Sequence, residues 1–407
     1  MKKRMLTVAA VVATSSLLLA GCAASGGGSA EGDTIVIGTT LPLTGPLQAF
    51  GTNLQVGYEA AIDEVNAAGG LDVAGTKHQI ELVVQDNASD GDKASEQAKS
   101  LVLDSGAIAL LGPATPPLTI PVSAVAEQLQ IPLISTITPI KGWLSGAGEG
   151  YKYSWDMFFD EVQMTETQFQ AADLTETNKK VVLFTDTEED GPIQAQLWKD
   201  NAAKYGYEIV DAIEFPVGNT NFSSQVAEAK ASGADIVMSQ IIPPDGIALL
   251  KEMKTQGYDP KLMFMEKAGN TGGWVDITEG LGQGVLAANW WAEGMGLDRE
   301  AEFISKFEKI AGGKNSNLGC IVDGYSITTV LLDAIKAAGT TDAAKVNDAI
   351  GKTDVVTPAG PVKFDKDHAA ALVVVQTQWD GANQVMVTTT DGKGAATKIV
   401  TPVAGLQ

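Results

Sequence analysis

The chain has 407 residues, 28 basic against 50 acidic, with a net charge of −22 and only two cysteines and two histidines. That acidity excludes a basic nucleic-acid-binding surface, and so little Cys and His leaves almost no material for a zinc site or a disulfide scaffold. A hydrophobic content of 44% with 44 glycines describes a globular chain long enough for two substantial cores.

Lys2, Lys3 and Arg4 precede an uncharged stretch from Met5 to Ala20, the basic and apolar parts of a secretory signal. At about sixteen residues the stretch falls short of the roughly 20 that a spanning helix needs. Leu19-Ala20-Gly21-Cys22 resembles the lipobox of bacterial lipoproteins, in which the small residues at 20 and 21 permit cleavage and Cys22 carries a diacylglyceryl group. Residues 1–21 are therefore expected to be a lipoprotein signal peptide. Residues 22–32, rich in Gly, Ser and Ala, are expected to be a flexible tether. Removal of three positive and no negative charges would leave a mature chain of net charge −25. Acyl chains on Cys22 would hold that acidic domain at a membrane that its charge alone would not attract. Cys320, in an apolar stretch, reads as a single buried thiol.

From Thr34 onward short apolar runs alternate with amphipathic stretches, the pattern of a parallel α/β sheet. Thr34–Gly38 predicts a strand. Leu54, Tyr58, Ala61, Ile62 and Val65 share one helical face that ends at Gly69-Gly70. Ile80–Val84 predicts the next strand, Ser89 or Asp90 an N-cap, and Ala94, Ala98, Leu101 and Val102 a second apolar stripe. Ile108–Leu111, a helix from about Pro116 to Gln128, and Pro132–Ser135 complete the first series. A second begins at Lys180–Phe184 and continues in a helix carrying Ile193, Leu197 and Tyr205 behind Pro192. Gly106-Ala107 with Pro116-Pro117 recurs 127 residues later as Gly233-Ala234 with Pro243-Pro244, which points to two similar lobes. Beyond Gly284 the pattern turns helical. One stripe, Ala301, Ile304, Phe307 and Ala311, lies behind the cap Asp298; another runs from Ile321 to Ile335; a third helix begins at Asp342. The tail returns to strands at Val362–Phe364, Ala371–Gln378 and Val385–Val387.

Catalytic signatures are scarce. No Gly-x-Ser-x-Gly elbow or His-Glu-x-x-His occurs, and Gly351-Lys352-Thr353 lacks the upstream glycine of a Walker loop. The chain is expected to be a binder and not an enzyme, with no cofactor, no metal and no nucleic-acid partner. Its strand-to-helix loops are rich in Thr, Ser, Pro and aromatics: residues 39–51, 112–119, 135–139, 185–191, 240–245 and 266–274. Such loops lie at the carboxyl ends of parallel strands, where ligands bind, and two lobes facing across them would enclose a cleft. Thr136 and Ile241 enter the candidate site from these loops.

Ile35-Val-Ile-Gly-Thr-Thr-Leu-Pro-Leu-Thr-Gly-Pro46, Ala49-Phe50-Gly51, Glu64-Val-Asn-Ala-Ala-Gly-Gly70 and Glu81-Leu-Val-Val-Gln-Asp86 closely resemble the opening of the leucine/isoleucine/valine-binding family. These are type I periplasmic binding proteins serving ATP-binding-cassette importers. The likeness is looser at Leu111-Gly112, Ile131–Ile134 and Gly360–Asp365. It implies two Rossmann-like α/β lobes with parallel sheets joined by three hinge crossovers, closing on a buried solute. Lobe 1 would comprise 33–153 and 287–352, and lobe 2 157–284 and 356–407. It further implies a small organic solute and permease subunits as partners, with the chain itself monomeric, on the outer face of the cell membrane.

By the same resemblance the family's first-loop aromatic falls on Phe50. Its carboxylate-holding serine segment falls on Ala114-Thr115-Pro116, and its later hydroxyl segment on Ile137-Thr138-Pro139, where the prolines remove N–H donors. The second-lobe tyrosine falls near Asp190, and the acid that pairs with a ligand ammonium falls near Ala268, two residues after Glu266. Either Glu266 or Asp190 takes that acid's role, or the solute is an aromatic or aliphatic acid without an ammonium, because a buried unpaired ammonium is costly. Lys267 would be a partner for an anion, and Trp155, with Phe158, Phe159, Trp274, Trp290 and Trp291, would line the cleft or its crossovers. A receptor that senses the solute without importing it is the competing class.

Overall fold

A computed structural model describes residues 30–297, 300–313, 318–389, 399–400 and 403–406. The signal, Cys22 and Asp298 lie outside the described residues. Two sheets organise the chain. One has six parallel strands in the order Ala369–Ala371, Ser154–Phe158, Leu133–Ser135, Ala109–Leu111, Ile35–Leu41, Ile80–Asp86. The other has seven, in the order Glu208–Phe215, Lys180–Asp186, Ile236–Ile241, Leu262–Lys267, Leu286–Asn289, Val375–Asp380, Asn383–Thr389, with Val375–Asp380 antiparallel to both its neighbours and the other strands running one way.

Both sheets are covered on two faces, which is why their strands read as unbroken apolar runs. In lobe 1 the helices Gln48–Ala67 and Leu318–Ala338 pack on one face, with Ile37, Leu54, Tyr58, Ile327 and Leu331 in a common core. Gly91–Leu103 and Pro116–Leu129 cover the other with Ala94, Leu101, Val122 and Val125. Lobe 2 repeats the arrangement: Ser223–Ser232 and Pro243–Gln256 lie on one face, Glu161–Ala172 and Asp190–Ala202 on the other. Leu318–Ala338 is long and apolar enough to cross a membrane by composition, but most of it is buried against lobe 1. A Cβ on Gly57 would lie 2.3 Å from the Ile321 carbonyl, and one on Gly324 would lie 2.9 Å from the Leu54 carbonyl. Two glycines thus set how closely the two long helices approach.

The helix after Lys180–Asp186 is rotated from the expected face. Gln194, Ala195, Trp198 and Ala202 are buried, while Ile193 and Leu197 are only partly so, because the large Trp198 side chain claims the core. The crossovers also fall later than expected. Ser154–Phe158 and Ala369–Ala371 belong to the lobe 1 sheet, and Leu286–Asn289 to that of lobe 2. The chain therefore changes lobe after Phe158, after Asn289 and between Ala371 and Val375. The expected strand 371–378, whose apolar run spans 371–375, is cut by the third passage.

Candidate functional site

Where the carboxyl ends of the two sheets face each other lies a small cavity of about 30 Å³. Lobe 1 supplies Phe50 from the first turn of its long helix, and Ile137 and Pro139 from the loop after Leu133–Ser135. The crossovers supply Phe158, Phe159 and Trp290. These three rings pack on one another, Phe158 with centroids 4.3 Å from Phe159 and 4.5 Å from Trp290. Lobe 2 supplies Asp190, Gln240, Glu266, Lys267 and Asn270.

The lobe 2 side chains form one network. Lys267 Nζ lies 2.7 Å from Glu188, 2.9 Å from Asp190 and 3.5 Å from Asp186. Asp190 also accepts from Gln240 Nε2 at 2.7 Å. The three carboxylates approach one another closely enough to hold a metal ion, but the lysine ammonium sits among them. Glu266 accepts from Gln168 Nε2 at 2.5 Å and from the Ala288 amide at 3.0 Å. Burial raises the Glu266 carboxyl to about 7 against those two bonds. Burial, reinforced by Asp190 and Glu188, raises Asp186 as well, with Lys267 opposing, while the carboxylates hold Lys267 protonated. Glu161, at the start of the first lobe 2 helix, reaches across to lobe 1. It accepts from the Lys141 and Gly142 amides at 2.8 and 2.7 Å, and burial raises it to about 7.

The structure brings Phe50, Asp190, Glu266 and Lys267 together at the cavity and sets the other predicted residues elsewhere. Ala114 is fully buried in the lobe 1 core. Thr115 does not line the cavity; its amide donates to the Ile137 carbonyl and its buried Oγ1 has no partner. Thr136 Oγ1 turns inward to the Met157 carbonyl and Asp323. Thr138 Oγ1 shares a 2.8 Å bond with Thr119 Oγ1 and donates to the Thr136 carbonyl. Trp155 stacks on His368 and donates to Asn347, so it ties the edge of the lobe 1 sheet to the helix Ala343–Ile350. Ile241 packs in the lobe 2 core. Lys267, expected to meet an anion, is already surrounded by carboxylates of its own lobe.

Gln240 and Asn270 are the cavity residues the sequence reading missed. Gln240 pairs in register with Glu266, and Ile241 with Lys267. Pleating sends alternate residues to opposite sides, so the residue before Ile241 faces the cavity and Ile241 does not. Three non-glycine residues at these loops hold positive φ: Thr115 at 69°, Ile137 at 55° and Lys267 at 61°. Such conformations cost about 1–3 kcal/mol each and gather at ligand clamps.

A family model described as periplasmic binding protein matches residues 34–384. The chain belongs to the periplasmic binding protein family. A leucine-, isoleucine-, valine-, threonine- and alanine-binding protein of Pseudomonas aeruginosa is 27% identical over 350 residues, covering 83% of this chain and 87% of that protein. Among solved structures, the branched-chain amino acid transporter substrate binding protein of Streptococcus pneumoniae, in complex with isoleucine, superposes with a TM-score of 0.76. It is 24% identical and is covered in full by 91% of this chain. A solute binding protein of an ABC transporter from R. palustris, in complex with benzoate, gives 0.75 at 19% identity, over 89% of this chain and 98% of that one. Both share the two-lobed fold. Periplasmic binding proteins of this kind bind solutes outside the cytoplasm and are not enzymes as a family.

Proposed function

We propose that this periplasmic binding protein is the extracytoplasmic solute receptor of a branched-chain amino acid-type ABC importer, which captures a small amino acid or a related solute between its lobes and presents it to a permease. The cavity between the lobes, walled in part by two of the three crossovers, carries the reading. Its 30 Å³ compares with roughly 300–1,000 Å³ for ordinary ligand pockets. The lobes must therefore part to admit a solute, and rings at the crossovers are placed to feel that rotation. The signal at residues 1–21 and Cys22 support a lipid-anchored monomer tethered to the outer face of the membrane.

An aromatic acid is the second reading, favoured by the ring cluster Phe158, Phe159 and Trp290. Against it stands a lobe 2 wall that sets two carboxylates, Asp190 and Glu266, beside a single lysine already paired within its own lobe. The test is thermal unfolding of the full-length protein, purified from membranes in mild detergent, against a panel of amino acids and aromatic acids. A bound solute raises the unfolding temperature with concentration, and Phe158→Ala should weaken the response. A panel in which nothing stabilises the protein would reject the reading. Cys22→Ser should abolish lipid attachment, read as intact mass and membrane fractionation; an unchanged mass increment would reject the anchor.

A further inference from the structure

The two faces of the cavity differ in chemistry, and that difference bears on which end of a solute is held. The side chains on the lobe 1 face and at the crossovers present carbon and one indole N–H: Phe50, Ile137 and Pro139, then the rings of Phe158 and Phe159 and of Trp290. Hydroxyls nearby are committed to the protein. Ser135 bonds to Asp156 and the Trp155 carbonyl, Thr136 to Asp323 and the Met157 carbonyl, and Thr138 to Thr119. The Thr115 amide donates to Ile137, and Pro116 and Pro139 have no amide hydrogen to offer. Among the described side chains here, the neutral donors left over are the unpartnered Thr115 hydroxyl, which is not in the lining, and the unpartnered Trp290 indole N–H.

The lobe 2 face is rich in acceptors. Asp190 and Glu266 line the cavity, and Glu188 and Asp186 stand behind them, with Lys267 the single cation among the described lining residues. Gln240, 3% exposed and part of the lining, spends its amide hydrogen on Asp190 and leaves its buried Oε1 without a donor. A carboxylate placed here would meet negative charge on one side and hydrocarbon on the other. An ammonium would meet an unpartnered carbonyl oxygen, two carboxylates and the faces of aromatic rings.

We infer that the cleft selects its solute by an ammonium on an apolar body, and that the solute's carboxylate is dispensable. The ammonium lies against Gln240 Oε1, Asp190 and Glu266, and the apolar body lies among Phe50, Phe158 and Trp290. The inference rests on the amino acid-binding reading above and narrows it: simple amines corresponding to the decarboxylated amino acids are ligands too, and the amino acids stripped of nitrogen are not.

The experiment is isothermal titration of the full-length protein in detergent with two matched sets: leucine, 3-methylbutylamine and 4-methylpentanoate; phenylalanine, 2-phenylethylamine and 3-phenylpropanoate. In at least one set the amine should bind within about tenfold of the amino acid, the loss expected for one or two neutral hydrogen bonds. The acid should be weaker by about a hundredfold or more, because its carboxylate would lie against Asp190 and Glu266 without an ammonium to face them. Gln240→Leu should weaken amine and amino acid alike, beyond the loss of stability that follows from the missing bond to Asp190. Should that variant fail to fold, Glu266→Gln, which keeps shape and removes charge, provides the same readout. Binding of the amino acid with a hundredfold or greater loss for the amine overturns the inference, as does preference for the acids; either outcome leaves the receptor function standing. No response to any of the six compounds overturns both.

Discussion

Lobe 1 and lobe 2 are built alike, each a parallel sheet between two layers of helices, yet the faces they turn to the cavity are opposites. The lobe 1 face is hydrocarbon held by strained backbone at Thr115 and Ile137; the lobe 2 face is a charged network held by ion pairs around Lys267. A fold repeated for mechanical reasons thus leaves its loops free to differ. Opening the cleft wets the charged face at little cost, whereas exposure of the apolar rings is unfavourable. The hydrophobic face therefore favours closure, and the polar face is the one able to discriminate among solutes.

The most disruptive way to break this contrast is Lys267→Met, which makes the lobe 2 face resemble that of lobe 1. Asp186, Glu188 and Asp190 would then crowd together without a cation. Removing one partner of a buried ion pair costs about 3–5 kcal/mol. Urea unfolding should show a loss of that order at pH 7.5, partly recovered at pH 5, where Asp186, which burial raises to about 7, takes up a proton. An unchanged midpoint would mean that the network is not what holds this face.

Acidity is a milder way to erase the same charge while leaving lobe 1 as it is. Glu266 and Glu161, both buried, are raised to about 7 from an ordinary 4.5. In the folded state each binds its proton over a window where the unfolded chain has released it. The stabilisation is fully present below about pH 4.5 and is lost as pH rises through 7. Each group contributes on the order of 2 kcal/mol between pH 7.5 and 5. Unfolding free energy should therefore rise on mild acidification, and Glu161→Gln together with Glu266→Gln should flatten the profile. A profile equally steep in the double variant would place the titration elsewhere. Ammonium affinity should move the other way and strengthen as Glu266 ionises.

Much of the fold is legible because buried parallel strands and amphipathic helices leave strong periodic signals, and the Pro-Pro repeat announces the second lobe. The crossovers were displaced because apolar runs such as 371–375 say nothing of which sheet takes each strand. In the site, the loops were found, but six of the ten expected side chains lie away from the cavity, and Gln240 and Asn270 were missed. Choosing Ile241 over Gln240 is an error of one residue in pleat parity, and parity depends on where a strand's register begins. Thr136 and Thr138 read as ligand hydroxyls because their residue type suits the task; only the neighbours Asp323 and Thr119, distant in sequence, reveal that they are spent. Lys267 read as a free cation because its three carboxylate neighbours lie about 80 residues away, on a different strand and loop.

The smallest effect tests whether lobe 1's contribution is backbone geometry and not hydrogen bonding. Thr115 sits at φ 69° and ψ 148°, a region that only glycine visits readily, and its buried hydroxyl has no partner. Thr115→Gly removes both penalties at the cost of extra chain entropy in the unfolded state. The balance should be a stabilisation of about 1 kcal/mol in urea unfolding, with amine affinity changed by less than about threefold. A destabilised variant with intact affinity would show that the threonine's methyl packing outweighs its strain. A variant that loses amino acid binding but keeps amine binding would show that the Thr115 hydroxyl grips the carboxylate after all, and lobe 1 would then have a polar role of its own.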